Sequence, residues 1–352
     1  MRPRTLVPIV SVFVILSLVG AAAPVGAEAG PSDHAECSFP ITETDATGEA
    51  VTVDDRPDQI VVLQASAAQT VWELDAQDRV VGAPNAPYTA YLDGIDEKEN
   101  VVNVDEFTVN REAVVALEAD LILAPNVIPD ETVEQLREET DQTVFKFEFG
   151  TSLEFVAEKT ELTGQLIGSC AEAAETNDEY WDRIETVREG TDAYEAPRVL
   201  HYTDGFTAGS GTFIDEIITT AGGVNVAAEN GIEGYGELNE EALVEWNPEV
   251  IVVSDDGPGV PETAAFESTF AVENDQIAVV NGNYLSQPAP RIAIALEEVA
   301  AGLATAELEA ETEMEPAMAE DEAETEPTPE DQPGFGVVAA VVALLAVLIV
   351  RR

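Results

Sequence analysis

Two histidines and two cysteines are all the imidazoles and thiols in the 352 residues. A bare divalent ion takes about four donors, and His34 and His201 are far apart in the chain. No nucleophile–base or acid–base constellation stands out. His201, at a predicted strand end, is either a hydrogen-bonded structural residue or one that faces a ligand carrying its own metal. Binding chemistry is better represented. Tyr88, Tyr91, Phe206, Tyr235 and Tyr284 fall in predicted loops near strand ends, where Gln64, Ser66 and Asn126 add polar groups. Tyrosine suits a large, planar or amphipathic ligand, although loop aromatics equally cap sheet ends. Trp72, Trp181 and Trp246 sit at helical spacings and read as packing residues.

The elements that position these groups alternate. Residues 60–63, 79–82, 101–104, 121–124 and 144–149 read as strands, and residues 64–74, 110–117 and 131–139 as helices between them. After residue 190 the pattern returns, with strands at 198–202, 250–254 and 277–280 and helices at 212–220, 239–246 and 289–303. Such alternation implies parallel sheets covered on both faces. The two halves also match each other. Val109-Asn110-Arg111-Glu112-Ala113-Val114-Val115 aligns with Leu238-Asn239-Glu240-Glu241-Ala242-Leu243-Val244, and Asp120-Leu121-Ile122-Leu123 with Glu249-Val250-Ile251-Val252.

Between the halves, residues 151–190 read as helix. Thr151 and Glu154 are spaced as a capping box for a first piece, Leu153 to Leu162. Thr163 then reads as an N-cap and Gly190 as a stop, with Leu166, Ile167, Cys170, Ala173, Tyr180, Trp181, Ile184 and Val187 on one face. A helix of about 26 residues is roughly 39 Å long, enough to cross a small domain. The expected fold is therefore α/β: two Rossmann-like βα lobes (57–150 and 191–303) joined by one long bridging α-helix (151–190), with the ligand cleft between the lobes. Ligands in such folds bind beyond the carboxyl ends of the strands.

The ends carry targeting information. Arg2 and Arg4, an apolar run and Val25-Gly26-Ala27 read as a signal peptide over 1–27, followed by an arm over 28–56. Cys37 is not in a lipobox. In an exported chain the even pair Cys37 and Cys170 reads as a disulfide, with two buried thiols as the alternative. Residues 304–332 are rich in Glu, Ala, Thr and Pro and read as an extended acidic linker. Pro333-Gly334-Phe335, an apolar run and Arg351-Arg352 resemble the archaeal PGF-CTERM sorting signal. That resemblance implies cleavage by an archaeosortase-type enzyme and a lipid anchor on the outer face of the cytoplasmic membrane. The net charge is −55, with acid in every segment and Lys98, Lys146 and Lys159 as the only lysines. Acid spread through a chain of ordinary apolar content points to a folded protein adapted to very high salt. With no basic surface, nucleic acid is excluded as a partner.

Ser66-Ala67, Asp78-Arg79-Val80-Val81-Gly82, Gly211-Thr212-Phe213-Ile214-Asp215-Glu216, Ala221-Gly222-Gly223-Val224-Asn225-Val226 and Leu285-Ser286-Gln287-Pro288-Ala289-Pro290-Arg291 together resemble helical-backbone (class III) solute-binding proteins. Such proteins feed ABC importers of cobalamin, ferric siderophores or haem. The resemblance implies a metal complex as ligand, no cofactor of its own, and a permease and ATPase as partners. It also implies a Glu on each lobe that docks on permease arginines: Glu216 on the second, with Gln69 at the matching place on the first and Glu73 one turn on as its substitute. Arg is scarce, and Arg291 alone sits in a motif near the expected cleft. That favours a corrinoid over an anionic siderophore, whose oxygens Arg would meet. A chelatase-like or corrinoid-processing enzyme would need clustered acid–base or metal ligands, and a surface-layer component would favour β-rich repeats.

Overall fold

The computed structural model describes residues 37–104, 106, 108–191 and 196–319, with side chains as far as Thr305. The expected signal peptide, His34, the later part of the linker and the anchor run lie outside these residues.

In the first lobe, β1 (Ile41–Thr44) and β2 (Ala50–Val53) pair as an antiparallel hairpin. There follow β3 (Ile60–Val62), α1 (Ala65–Glu73), β4 (Val80–Ala83), β5 (Glu99–Asn100) and a small ribbon of β6 (Val102–Asn103) with β7 (Thr108–Val109). Helix α2 (Arg111–Ala116), β8 (Leu121–Ala124), α3 (Asp130–Glu139) and β9 (Thr143–Lys146) complete the lobe. Five parallel strands stand in the order β5-β4-β3-β8-β9. Successive side chains of a strand point to opposite faces. Ile60, Val62, Leu121 and Leu123 accordingly enter one core, and Val61, Leu63, Ile122 and Ala124 the other. Arg137 pins the hairpin to this lobe, through Asp45 at 2.6 Å and Glu49 at 2.7 Å.

The bridge differs from a single rod. It consists of α4 (Leu153–Ile167) and α5 (Cys170–Thr191), broken at Gly168. Thr163 is not an N-cap but lies buried inside α4, its hydroxyl bonded to the Lys159 carbonyl. Ser152, not Thr151, caps α4 by accepting from the Phe155 N–H at 3.1 Å. The break falls at Gly168 because that residue takes the left-handed conformation (φ +73°) that ends helices, and the Ser169 N–H turns back to the Gly164 carbonyl. Arg79 clasps the turn, donating to the Ile167 carbonyl and the Ser169 hydroxyl. The helices then run antiparallel: Asn177 donates to the Ala157 carbonyl and Tyr180 to the Leu153 carbonyl, each at 2.9 Å. Both span the lobes. Leu166, Ile167 and Ala173 belong to the first lobe's core, whereas Leu153, Val156, Tyr180, Ile184 and Val187 belong to the second's. A disulfide between Cys37 and Cys170 fastens the arm to the start of α5.

The second lobe comprises β10 (Arg198–His201), β11 (Phe206–Ala208), α6 (Phe213–Thr220), β12 (Val224–Asn225), α7 (Val226–Glu229), β13 (Tyr235–Glu237), α8 (Glu240–Trp246) and β14 (Val250–Ser254). It ends with α9 (Ala264–Glu267), α10 (Phe270–Glu273), β15 (Ile277–Val280), α11 (Gly282–Leu285) and α12 (Ile292–Ala319). The parallel sheet is ordered β12-β10-β14-β15, and β11 pairs with β13 in a separate ribbon. The repeat seen in sequence is structural. Asn110 and Asn239 cap α2 and α8, which lead into β8 and β14. Helix α12 runs past residue 304 into the stretch expected to be an extended linker. Ala and Glu, abundant there, are strong helix formers, and the helix is already nucleated on the core.

The contact between α4 and α5 yields a test. A Cβ at Gly164 would meet the Ala173 methyl and stand 2.9 Å from the Ser169 carbonyl oxygen. Gly164→Val should therefore lower stability by ~1–3 kcal/mol through overpacking, read as a shift of the denaturant midpoint.

Candidate functional site

Segments that follow the strands bring the lobes together. Ser66 follows β3 and Tyr88 follows β4, while Gln287 and Pro288 follow β15. Gln287 donates to the Tyr88 carbonyl, and Lys159 of α4 reaches both Ser66 and the Pro288 carbonyl. Both sheets thus direct their carboxyl ends to a common face, where open α/β sheets bind ligands.

The lobes touch along one side of that face. Gln69 of α1 donates to the Tyr91 hydroxyl at 2.8 Å and accepts from the Arg291 N–H at 2.8 Å. Tyr91 in turn donates to Gln287 at 3.1 Å. Arg291 pairs with Glu73 at 2.7 Å and lies over the rings of Tyr91 and Tyr284, which are themselves edge to face. Burial raises the Tyr91 pKa, and the Gln69 bond and Arg291 only partly oppose it. This seam joins the β3/β4 side of one sheet to the β15 side of the other.

The opposite side is uncovered. Beyond β8 stand Asn126, half-buried, and Val127, 66% exposed; beyond β9 stands Phe149, 71% exposed. On the second lobe the β11–β13 ribbon presents Phe206 at 44% and Tyr235 at 63% exposure. The ribbon hangs from β10 by the Thr203–Phe206 turn, where Asp204 and Gly205 both have positive φ, as a tight hairpin of this hand requires. Each lobe thus leaves large apolar side chains exposed close to the ends of its strands.

The residues singled out from sequence divide between the two sides. Phe206, Tyr235 and Asn126 lie at the uncovered strand ends, and Tyr88 is half-buried beside the seam. Gln64 caps α1 with its own side chain. Three others are bonded within the fold or buried. Tyr91 spends its hydroxyl within the seam, and Ser66 is buried against Lys159. His201 is 4% exposed, and burial lowers its pKa to about 4, so its imidazole stays neutral. Phe149 and Val127 were not identified from sequence. Val127 lies three residues past the strand expected at 121–124, whereas Phe149 closes the strand expected at 144–149, which in the structure ends at Lys146.

The residues expected to dock on a permease make contacts within the fold. Gln69 is fully buried in the seam, and Glu73 is paired with Arg291. Glu216 is half-buried and accepts from the Leu153 N–H at 2.7 Å, at the N-terminus of α4. There its charge meets unpaired helix donors and the positive end of the dipole. Each of these side chains has a partner within the fold, and Glu73 and Glu216 keep part of their surface exposed.

Comparison with known proteins agrees with this architecture. The periplasmic binding protein family model matches residues 60–284, and the PGF-CTERM motif matches 332–352. A protein of Halobacterium salinarum named cobalamin-binding protein is 39% identical, over 97% of this chain and 98% of its own length. The crystal structure of the periplasmic vitamin B12 binding protein BtuF of Vibrio cholerae superposes with a TM-score of 0.62 at 23% identity, covering 72% of this chain and 98% of that one. The periplasmic heme-binding protein RhuT from Roseiflexus sp. RS-1 gives 0.62 at 22% identity, covering 71% and 98%. At such identity the two structures show a shared fold.

Removing the carboxylate at the start of α4 separates the two roles considered for Glu216. Glu216→Ala should lower stability by about 0.5–2 kcal/mol, as loss of a helix cap does, measured by chemical denaturation.

Proposed function

The chain belongs to the periplasmic binding protein family, and from that premise we propose that it captures cobalamin between its lobes and passes it to an ABC importer. It is read as a binding protein and not an enzyme, as its relatives and fold neighbours are binding proteins. The PGF-CTERM motif marks an exported surface protein anchored at its C terminus. Archaeosortase-type processing goes with that motif.

The observation that carries the choice of ligand is the full-length likeness to a cobalamin-binding protein. The site's chemistry supports it. An anionic ferric chelate calls for free cationic groups, whereas Arg291 is held by Glu73 and two rings, Lys159 is buried, and Lys146 is paired with Asp130. The uncovered side offers Tyr235, Phe206, Phe149 and Val127, which suit the broad apolar face of a corrin with polar groups at its edge.

Delivery needs a matched pair of contacts. A permease made of two like subunits presents one docking surface twice. The repeat supplies equivalent groups in Glu112 of α2 and Glu241 of α8, both exposed in the first turn behind the Asn110 and Asn239 caps. Each helix leads back into a parallel strand, so its N-terminus lies on the ligand-binding face. These carboxylates replace Gln69, Glu73 and Glu216 as the docking pair.

Two experiments test this reading. Cobalamin titrated into the protein in multimolar salt should quench its fluorescence saturably after absorbance correction, and Tyr235→Ala and Phe149→Ala should each weaken binding by ~1–3 kcal/mol. Binding of a ferric chelate instead of cobalamin would keep the importer role and change the ligand. Separately, the double change Glu112→Ala, Glu241→Ala should leave the cobalamin Kd unaltered and reduce uptake severalfold in cells; unchanged uptake would return docking to other surfaces.

A further inference from the structure

Lys159 sits near the middle of α4, where the bridge passes between the lobes, and is 4% exposed. Its Nζ lies 3.2 Å from the Ser66 hydroxyl of the first lobe and 3.1 Å from the Pro288 carbonyl of the second. The Phe147 ring, on the segment leading from β9 to α4, covers a third direction at 5.5 Å. No carboxylate forms an ion pair with it among the described residues. A chain this rich in acid has thus placed a lysine at its lobe junction and given it neutral partners alone.

We propose that Lys159 is an inter-lobe latch, closed when its Nζ is a neutral amine shared by Ser66 and Pro288, and sprung when that amine takes up a proton.

Two N–H groups and one lone pair suit a hydroxyl and a carbonyl. An ammonium in the same place brings a third N–H and a full charge with no counter-charge to meet it. Water can solvate that charge only if the seam opens. Burial alone lowers the Lys159 pKa to about 7. The neighbouring elements supply no compensating charge. On α1, Glu73 is taken by Arg291, the charged member of the 284–291 segment. Tyr284 of that segment lies against Arg291. Glu148, beside Phe147, is exposed. On α5, Tyr180 is bonded to the Leu153 carbonyl, and Glu172, Glu175, Asp178 and Glu179 are exposed.

The direction follows from linkage. With the seam open, the amine has the ordinary lysine value of about 10.4. Between that value and the closed-state value of about 7, the open form binds a proton that the closed form does not. Lowering the pH by one unit in this window therefore favours opening about tenfold, and the effect levels off below the closed-state value.

The test uses the full chain without ligand, in multimolar salt, so its outcome is independent of what the cleft binds. Backbone hydrogen exchange is measured between pH 7 and pH 9 and divided by the intrinsic rate at each pH. Protection of α1 and of the 284–291 segment should fall about tenfold per unit as the pH is lowered, while β3, β8 and β14 hold steady. Lys159→Met, similar in length and uncharged, should abolish the slope. Carbon-13 lysine NMR of the unaltered protein gives a second reading, because the chain has only Lys98, Lys146 and Lys159. One lysine signal should titrate near the lower limit of the exchange slope. Flat protection in the unaltered protein, the same slope in Lys159→Met, or no lysine titrating below pH 9 would each overturn the latch.

Discussion

Helix α4 has its ends in different hydrophobic cores, and the rest of the molecule depends on that. Leu153 and Val156 are buried with the second sheet, and Leu166 and Ile167 with the first. An α-helix does not bend cheaply, so a helix anchored at both ends fixes the distance between the sheets. The antiparallel α5 doubles the strut, and Glu216 and Ser152 secure its near end through the Leu153 and Phe155 N–H groups. With that spacing set, the seam can be assembled from side chains as short as Gln69 and Ser66. The far side leaves Val127, Phe149, Phe206 and Tyr235 exposed.

Most of the fold was legible because it is locally encoded. The repeat of Asn-capped helices and apolar strands gives two βα lobes, since caps and binary patterns act within a few residues. The bridge was legible as helix but not as two helices. The apolar spacing from Leu166 to Val187 continues through Gly168 and Ser169 without a break in phase, and only the left-handed conformation of Gly168 separates them. The contacts of Gln69, Glu73 and Glu216 were the least legible. Exposure is a tertiary property, and nothing in the order of residues reveals that Arg291 lies across Glu73, or that Gln69 is sealed beneath a segment more than two hundred residues away. Phe149 escaped notice for the complementary reason, because its lack of cover appears only once the lobes are placed.

The charge balance has a structural counterpart. The few cations of the folded body are largely spent inward. Arg79 holds the bridge turn, Arg137 the hairpin, Arg198 the Trp246 carbonyl and Glu229, and Arg291 the seam. Outward-facing charge is left almost wholly acidic, which suits a medium where dense salt screens repulsion. The same economy ties Arg291, beside the lobe seam, to Glu73 and two tyrosine rings.

The Cys37–Cys170 bond spans 133 positions, and the whole first lobe lies between its ends. That lobe is therefore a covalent ring. A protease outside the cell that cuts any one of its loops, such as the turn beside Gly48 or the segment after β4, opens the ring but releases nothing. Both fragments stay joined through sulfur to the bridge. Two cuts are needed before a piece of the first lobe is lost, so a nicked molecule keeps every residue of the cleft on one covalent framework.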